Sequence, residues 1–125
     1  MAQIFLAIAA MFGGLSVAAG AFGSHALRAQ LSDRALEIFE TGARYQMYHA
    51  LALLAVGILL TRAEPIPPTL SISGFAFIAG VFLFSGSLYA LSISGIKWLG
   101  AVTPVGGACF ILGWVCLAIA AFGYK

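Results

Sequence analysis

The stretch FETGARYQMYHALALL, at Phe39–Leu54, is where the chain changes from a polar to a strongly apolar sequence. Three of its side chains are ionisable, and two tyrosines and a glutamine stand among them, so its polar residues include Glu40, Arg44, Tyr45, Gln46, Tyr48 and His49. Ionisable side chains next to a membrane interior are candidates for a functional site. We therefore expect this stretch to supply half of any functional site.

The composition of the whole chain indicates a membrane protein. Its 125 residues are 62% hydrophobic and 8% charged, and the mean hydropathy is +1.07, whereas soluble domains carry about 25% charged residues. Lipid is the expected solvent, and a single transmembrane domain over residues 1–125 is expected. The net charge of +2 is not gathered on one basic face, so we expect no nucleic-acid partner.

Four apolar segments have the composition of membrane-spanning helices, at about 4–22, 44–60, 70–91 and 104–122. Three prolines between Ala63 and Thr69 separate the second from the third, because proline cannot continue a helix. The predicted fold is an all-α, up-down-up-down bundle of four transmembrane helices. The first segment lacks the positively charged start of a signal peptide, so we expect it to be retained.

An amphipathic helix is predicted at about 33–43, directly before the second span. Ser32 is its expected N-cap, and charged and apolar side chains recur on separate faces at helical spacing. The helix either lies on the membrane surface or continues into the second span with a bend near Gly42. Glu40 and Arg44 stand in the order that favours an i,i+4 ion pair.

Residues at three- and four-residue spacing in the first span predict a close helix contact. One face of that span holds only small residues: Ala9, Gly13, Ser16, Gly20 and Gly23. Helices in lipid pack through such faces, and we expect the bulky residues of this span to lie mostly away from the contact.

The fourth span carries two further expectations. Thr103 is the predicted N-cap and Pro104 the first helical residue, with an earlier, kinked start as the alternative. Trp114 lies near the middle of the span, where its indole N–H either finds an acceptor or the ring simply packs as bulk.

The positive charges favour one orientation in the membrane. With four spans, the first and third loops share a side that carries Arg28, Arg34, Arg44 and Lys97, and the other side carries Arg62 and Lys125. The positive-inside rule then places both termini outside the cytoplasm.

Several motifs resemble one known family. They are GAFGSHAL at Gly20–Leu27, the stretch at Phe39–Leu54, LFSGSLYAL at Leu83–Leu91, TPVGG at Thr103–Gly107, and the pair Gly113-Trp114. In this order, and over nearly the whole chain, they resemble the domain-of-unknown-function 423 family, which includes small bacterial inner-membrane proteins and a eukaryotic transmembrane-protein-256 branch. The resemblance implies a four-helix protein of the bacterial inner membrane, and it brings no reaction, substrate or cofactor.

His25 and His49 are the first candidate site residues. A hairpin of the first two spans brings their ends to one membrane face, so the two rings are expected to approach each other. Proton handling or a shared metal or haem is the functional interpretation, and separate interfacial hydrogen bonds are the structural one. Because no carboxylate or cysteine accompanies the two histidines, we expect no metal and no cofactor.

A polar pocket between the second and third spans is the second candidate site. Tyr45, Gln46 and Tyr48 would line it together with Ser85, Ser87 and Tyr89. The alternative is an aromatic belt with interhelical hydrogen bonds. The candidate ligand- or partner-binding residues are therefore His25, Glu40, Arg44, Tyr45, Gln46, Tyr48, His49, Ser85, Ser87 and Tyr89.

The expected function is that of a non-enzymatic accessory, assembly or membrane-organising protein, because the chain has no Ser-His-Asp order and no phosphate-binding glycine loop. Its expected partners are membrane lipids and either another protein or a second copy of the chain. The alternative is a small transporter or a lipid- or small-molecule-binding protein with a polar pocket near His25 and His49. Alanine at His49 or Arg44 is expected to be far more harmful than alanine at Arg34.

Overall fold

The computed structural model describes residues 1–124 and contains four long helices joined by short loops. We name them α1 (Ala2–Leu27), α2 (Asp33–Arg62), α3 (Pro68–Ser94) and α4 (Thr103–Phe122), with a 3-10 turn at Lys97–Ala101 before α4. The four segments are long and apolar enough to cross a membrane, and each predicted span lies inside one of them. The predicted all-α bundle of four transmembrane helices is confirmed. Lys125, which the orientation argument counted, lies outside the described residues.

The second helix resolves the two arrangements that the sequence left open. α2 is an uninterrupted α-helix of 30 residues, about 45 Å long, so the amphipathic segment and the second span are one element. Ser32 is the N-cap as predicted, because its Oγ accepts a hydrogen bond from the backbone N–H of Ala35 at 3.1 Å. The polar start of α2 is therefore rigidly connected to its membrane-spanning part.

Each helix packs against its neighbour in the chain. α1 lies against α2, α2 lies against α3, and α3 lies against α4, through contacts of similar extent. The apolar centre contains Phe5, Phe12, Leu53, Val56, Leu70, Phe77 and Phe110. Many outward side chains are also apolar, as expected for a surface that faces lipid rather than water.

Glycines on the helices make room for aromatic rings. At three of them, a Cβ added to the backbone would overlap a phenylalanine ring of another helix; the pairs are Gly74 with Phe5, Gly80 with Phe110, and Gly113 with Phe77. A large side chain thus fills the space that a missing side chain leaves, which is close packing between unlike residues.

The contact face of α1 is only partly the predicted one. Ala9 and Ser16 are buried as expected, but Phe5 and Phe12 are buried with them. A Cβ at Gly13 would meet no atom within 4 Å. The prediction placed bulky residues such as Phe5 mostly away from the contact. The sequence does not show that a glycine on another helix, such as Gly74, leaves room for the Phe5 ring.

Two helices contain a turn of π-helix, at Ala18–Gly23 in α1 and Val81–Ser85 in α3. Both lie against the same part of α2. A Cβ at Gly20 would be 3.8 Å from that of Ala43, and the Ser85 hydroxyl donates to the Gly42 carbonyl. Single π turns in α-helices are frequent at functional sites, which directs attention to this level of the bundle.

The start of α4 differs by one residue from the prediction. Val102 is the N-cap, so Thr103 and Pro104 are the first two helical residues. The Thr103 hydroxyl does not cap its own helix, because its Oγ1 lies 2.6 Å from Ser87 Oγ on α3. An interhelical hydrogen bond has replaced the local one that the sequence suggested.

Candidate functional site

Gln46 connects three helices through its amide. Its side chain is 5% exposed. The Nε2 group donates to the Phe12 carbonyl of α1 at 2.8 Å, and Oε1 accepts from the Tyr89 hydroxyl of α3 at 2.7 Å. Since a backbone carbonyl only accepts, the Phe12 carbonyl requires the amide nitrogen of Gln46, and the Tyr89 hydroxyl then donates to the amide oxygen.

Two neighbouring backbone carbonyls of α2 receive serine hydroxyls from opposite sides. Ser16 Oγ of α1 donates to the Ala43 carbonyl at 2.6 Å, and Ser85 Oγ of α3 donates to the Gly42 carbonyl at 2.7 Å. Both serines are buried. α2 is therefore held between α1 and α3 by hydrogen bonds to two adjacent residues, about one helical turn before Gln46.

His49 carries the hydrogen bond between α2 and α4. Its Nδ1 lies 2.7 Å from the Tyr45 carbonyl, and its Nε2 accepts from the Trp114 indole N–H at 3.1 Å. A carbonyl only accepts and an indole only donates, so the network assigns the neutral tautomer with hydrogen on Nδ1. Ligation of a metal or haem by either nitrogen would break one of these bonds.

The His49 ring is also part of an aromatic cluster. It stacks on Phe110 with ring centroids 3.5 Å apart and planes 7° apart, and Phe77 and Trp114 lie at 5.6 and 5.9 Å. The His49 side chain is 5% exposed. The ring is therefore part of the packed interior of the bundle. His49 Nε2 is the acceptor for the Trp114 indole N–H, as the first of the two sequence interpretations of Trp114 predicted.

The structure does not bring His25 and His49 together. His25 is exposed at the end of α1, near Gly23, which lies against the Phe39 ring. Phe39 and His49 are ten residues apart on α2, or about 15 Å along the helix axis. The hairpin places both histidines toward the same membrane face, as expected, but at different depths, so the predicted approach of the rings is wrong.

The residues of the predicted polar pocket point in different directions. Tyr45 and Tyr48 are 39% and 53% exposed on the outside of α2, and the Tyr45 ring contacts Phe84 at a centroid distance of 4.7 Å. Gln46, Ser85 and Tyr89 are directed inward and bonded to one another's helices, and Ser87 pairs with Thr103. The inward-facing residues therefore form interhelical hydrogen bonds, as the alternative to a polar pocket predicted.

The expected cavity between the second and third spans is closed at this level. A Cβ at Gly42 would be 3.1 Å from Tyr89 Cε1 and 3.3 Å from the Ser85 carbonyl. Helix α3 therefore uses the absence of a side chain at Gly42 to approach α2, and the space is filled by packing.

Glu40 and Arg44 do not form the predicted ion pair. Within residues 1–124 the ion pair of α2 is Arg34 with Glu37, at 3.2 Å and exposed. Arg44 instead donates from Nη2 to the Thr41 hydroxyl at 3.3 Å. The hydroxyl one turn before Arg44 competes for the guanidinium, which helical spacing alone does not reveal.

Sequence reasoning missed several hydrogen-bonding serines. Ser16 had been assigned only as a small residue, and Ser73, which donates to the Gly113 carbonyl at 2.7 Å, had no role. A serine on a buried helix face was the available signal, because a buried hydroxyl requires a partner. Within residues 1–124, every buried side-chain nitrogen and oxygen has one.

Comparison with known proteins assigns the chain to a family. The sequence model of a family described as "Protein of unknown function (DUF423)" matches residues 19–107, which include all of α2 and α3. The chain belongs to the DUF423 family. The resemblance of its polar motifs to this family is thereby confirmed, and DUF423 is a family without an assigned activity.

Bacterial membrane proteins are among the relatives of this DUF423 chain. UPF0382 membrane protein YwdK of Bacillus subtilis (strain 168) is 41% identical over 122 residues, 98% of each chain. UPF0382 membrane protein SAB0533 of Staphylococcus aureus (strain bovine RF122 / ET3-1) is 42% identical, and SAUSA300_0565 of the USA300 strain is 43% identical, each with 98% coverage of both chains. No solved structure matches the chain.

Proposed function

We propose that this chain is a non-enzymatic component of a bacterial cytoplasmic membrane, and that it acts as an accessory or assembly factor for a protein partner or a second copy of itself. The observation that carries the proposal is the use of the inward-facing polar side chains. Gln46, His49, Ser85 and Tyr89 each form a hydrogen bond to another helix of the bundle. These residues fix helix packing and present a rigid outer surface.

The state of His49 supports a structural rather than a chemical role. A general base needs an accessible lone pair within hydrogen-bond distance of the proton it removes. The Nε2 lone pair of His49 accepts the Trp114 N–H, and the ring is stacked on Phe110. His49, the one histidine of Phe39–Leu54, thus uses its Nε2 atom and its ring face to hold α4 against α2.

The proposal predicts a stoichiometric partner. We expect native mass spectrometry of the tagged full chain, extracted from its membrane in a mild detergent, to show a fixed complex with another membrane protein or a second copy. Arg34→Ala removes only an exposed ion pair, so this control variant is expected to keep the complex. The proposal would be contradicted if the wild-type chain and Arg34→Ala were both monomeric in every mild detergent and in lipid nanodiscs.

Small-molecule binding or transport is the second candidate function. A cavity of about 550 Å³ lies beneath the second loop, lined by Arg62, Glu64, the loop prolines and Tyr124. Ligand pockets commonly have volumes of about 300–1,000 Å³. In the same mass spectra, a retained metabolite without a protein partner would favour this function over the first.

We also propose that both termini face away from the cytoplasm. In support, Arg28, Arg34, Arg44 and Lys97 lie toward the end of the bundle with the first and third loops, and Arg62 lies at the other end. A C-terminal alkaline phosphatase fusion is expected to be active and a C-terminal green fluorescent protein fusion dark. The opposite pair of results would reverse the orientation.

A further inference from the structure

A groove of about 400 Å³ lies between α1 and α2, near the first loop. It is lined by Ser16, Gly20, Glu40, Ala43, Arg44 and Met47. The polar groups of its inner wall already have hydrogen-bond partners, because the Ser16 hydroxyl donates to the Ala43 carbonyl. Gly20 contributes no side chain, so the groove stays open beside the π turn of α1. The polar groups left to a ligand are the side chains of Glu40 and Arg44.

These two charged groups are available to a ligand because they do not neutralise each other. Within the described residues, Glu40 forms no ion pair, and the only hydrogen bond of the Arg44 guanidinium goes from Nη2 to Thr41. Arg44 is exposed and Glu40 is half-buried. A guanidinium has five N–H donors, so most remain free for a bidentate acceptor such as a phosphate.

The depth of each lining residue follows from the length of α2. A hydrocarbon layer of about 30 Å corresponds to about 20 helical residues, and counting back from Arg62 places its boundary near Gly42. Glu40 then lies on the headgroup side, Arg44 about 6 Å deeper and Met47 about 10 Å deeper along the axis. An arginine at this depth extends its side chain back toward the headgroups.

The order of chemical groups along the groove matches one class of lipid. From water inward, the groove offers a carboxylate, a guanidinium and an apolar thioether. We propose that it binds a zwitterionic phospholipid whose headgroup ends in a primary ammonium, as in phosphatidylethanolamine. The ammonium donates to Glu40, the phosphate accepts from Arg44, and an acyl chain lies along Met47.

The carboxylate distinguishes this class from other phospholipids. A primary ammonium has three N–H donors for Glu40, whereas the trimethylated ammonium of phosphatidylcholine has none. The phosphatidylglycerol headgroup has the same phosphate for Arg44 but ends in neutral hydroxyls, so it offers Glu40 no cation. The lipid site does not depend on a protein partner, because it lies within one chain.

Lipid retention by the purified full chain tests the site. With equal amounts of phosphatidylethanolamine, phosphatidylcholine and phosphatidylglycerol of matched acyl chains, native mass spectrometry should show about tenfold stronger retention of phosphatidylethanolamine, the equivalent of one charge-assisted hydrogen bond. Equal retention of the three lipids, or preference for phosphatidylglycerol, would overturn the proposal.

Two variants assign the headgroup contacts. Glu40→Gln should reduce phosphatidylethanolamine retention to the phosphatidylcholine level, and Arg44→Gln should reduce the retention of both. Arg34→Gln is the matched control on the same helix and should change neither, because Arg34 is paired with Glu37 outside the groove. Unchanged lipid preference in Glu40→Gln, with an unchanged unfolding temperature, would show that the carboxylate does not select the ammonium.

Discussion

Gly106→Ala is expected to destabilise the bundle strongly, while Gly107→Ala, one residue further along α4, is expected to be nearly neutral. A Cβ at Gly106 would overlap the backbone nitrogen of Phe84 and lie 2.7 Å from its Cα. Overpacking costs about 1–3 kcal/mol when side chains can adjust. Here the neighbour is backbone, so we expect a loss of about 3 kcal/mol or more.

The two glycines form a matched pair for this measurement. A Cβ at Gly107 would meet only Phe84 Cδ2, at 3.9 Å, which is an ordinary contact. Both substitutions replace glycine by alanine in the first turns of one helix, so their intrinsic helix propensities change equally. Reversible unfolding in a mild detergent, followed by circular dichroism, gives both free energies. Equal stabilities of the two variants would refute the backbone contact between α3 and α4.

His49→Ala is the second substitution with a large expected effect. It removes the ring stacked on Phe110 and leaves the Trp114 N–H without its acceptor. Truncating a large buried side chain costs about 2–5 kcal/mol. The Trp114 side chain is 47% exposed on a lipid-facing surface, where its N–H finds no replacement acceptor, and this adds to the loss. We expect a total loss of about 3 kcal/mol or more in the free energy of unfolding in detergent, with Trp emission as the readout.

Two further variants separate the contributions at His49. His49→Phe keeps an aromatic ring against Phe110 but offers no acceptor, so it should cost about 1–3 kcal/mol. Arg34→Ala should stay within about 0.5 kcal/mol of the wild-type chain, because Arg34 is exposed. If His49→Phe and His49→Ala lost the same stability, packing on Phe110 would contribute nothing and the interpretation of the cluster would fail.

The structure changes the effect that we expect from substituting Arg44. The sequence placed Arg44 with His49 as a residue whose loss is harmful. The structure leaves Arg44 exposed, with one hydrogen bond to a neighbouring side chain on its own helix. We therefore expect Arg44→Ala to leave the stability of the bundle nearly unchanged and to act through the lipid groove.

The bundle was predictable because membrane thickness fixes the length of an apolar segment, and four such segments stand in the chain. The depth of individual side chains was not. A hairpin implies that His25 and His49 share a membrane face, but their relative depth depends on how far α2 extends beyond the bilayer. Sequence alone suggested a bend near Gly42 if the helix continued, and it did not show that Tyr89 of α3 packs against this glycine.

Contacts between distant segments were the other part that sequence could not supply. Trp114 was recognised as needing an acceptor, but its acceptor lies 65 residues away on a helix that could have packed elsewhere. The same holds for Phe5 and Gly74, whose complementary sizes become meaningful only once α1 and α3 are neighbours. Local rules also overestimated the pair of Glu40 and Arg44, because Thr41 offers Arg44 a nearer partner.

The hydrogen bonds around Gly42, Ala43 and Gln46 have a mechanical consequence. In some allosteric proteins, one packed element shifts past its neighbour by a helical turn, about 5.4 Å, when the protein changes state. A slide of α2 by one turn would break its bonds to Ser16 and Phe12 on one side and to Ser85 and Tyr89 on the other at the same time. These bonds therefore oppose sliding of α2 along its axis relative to α1 and α3.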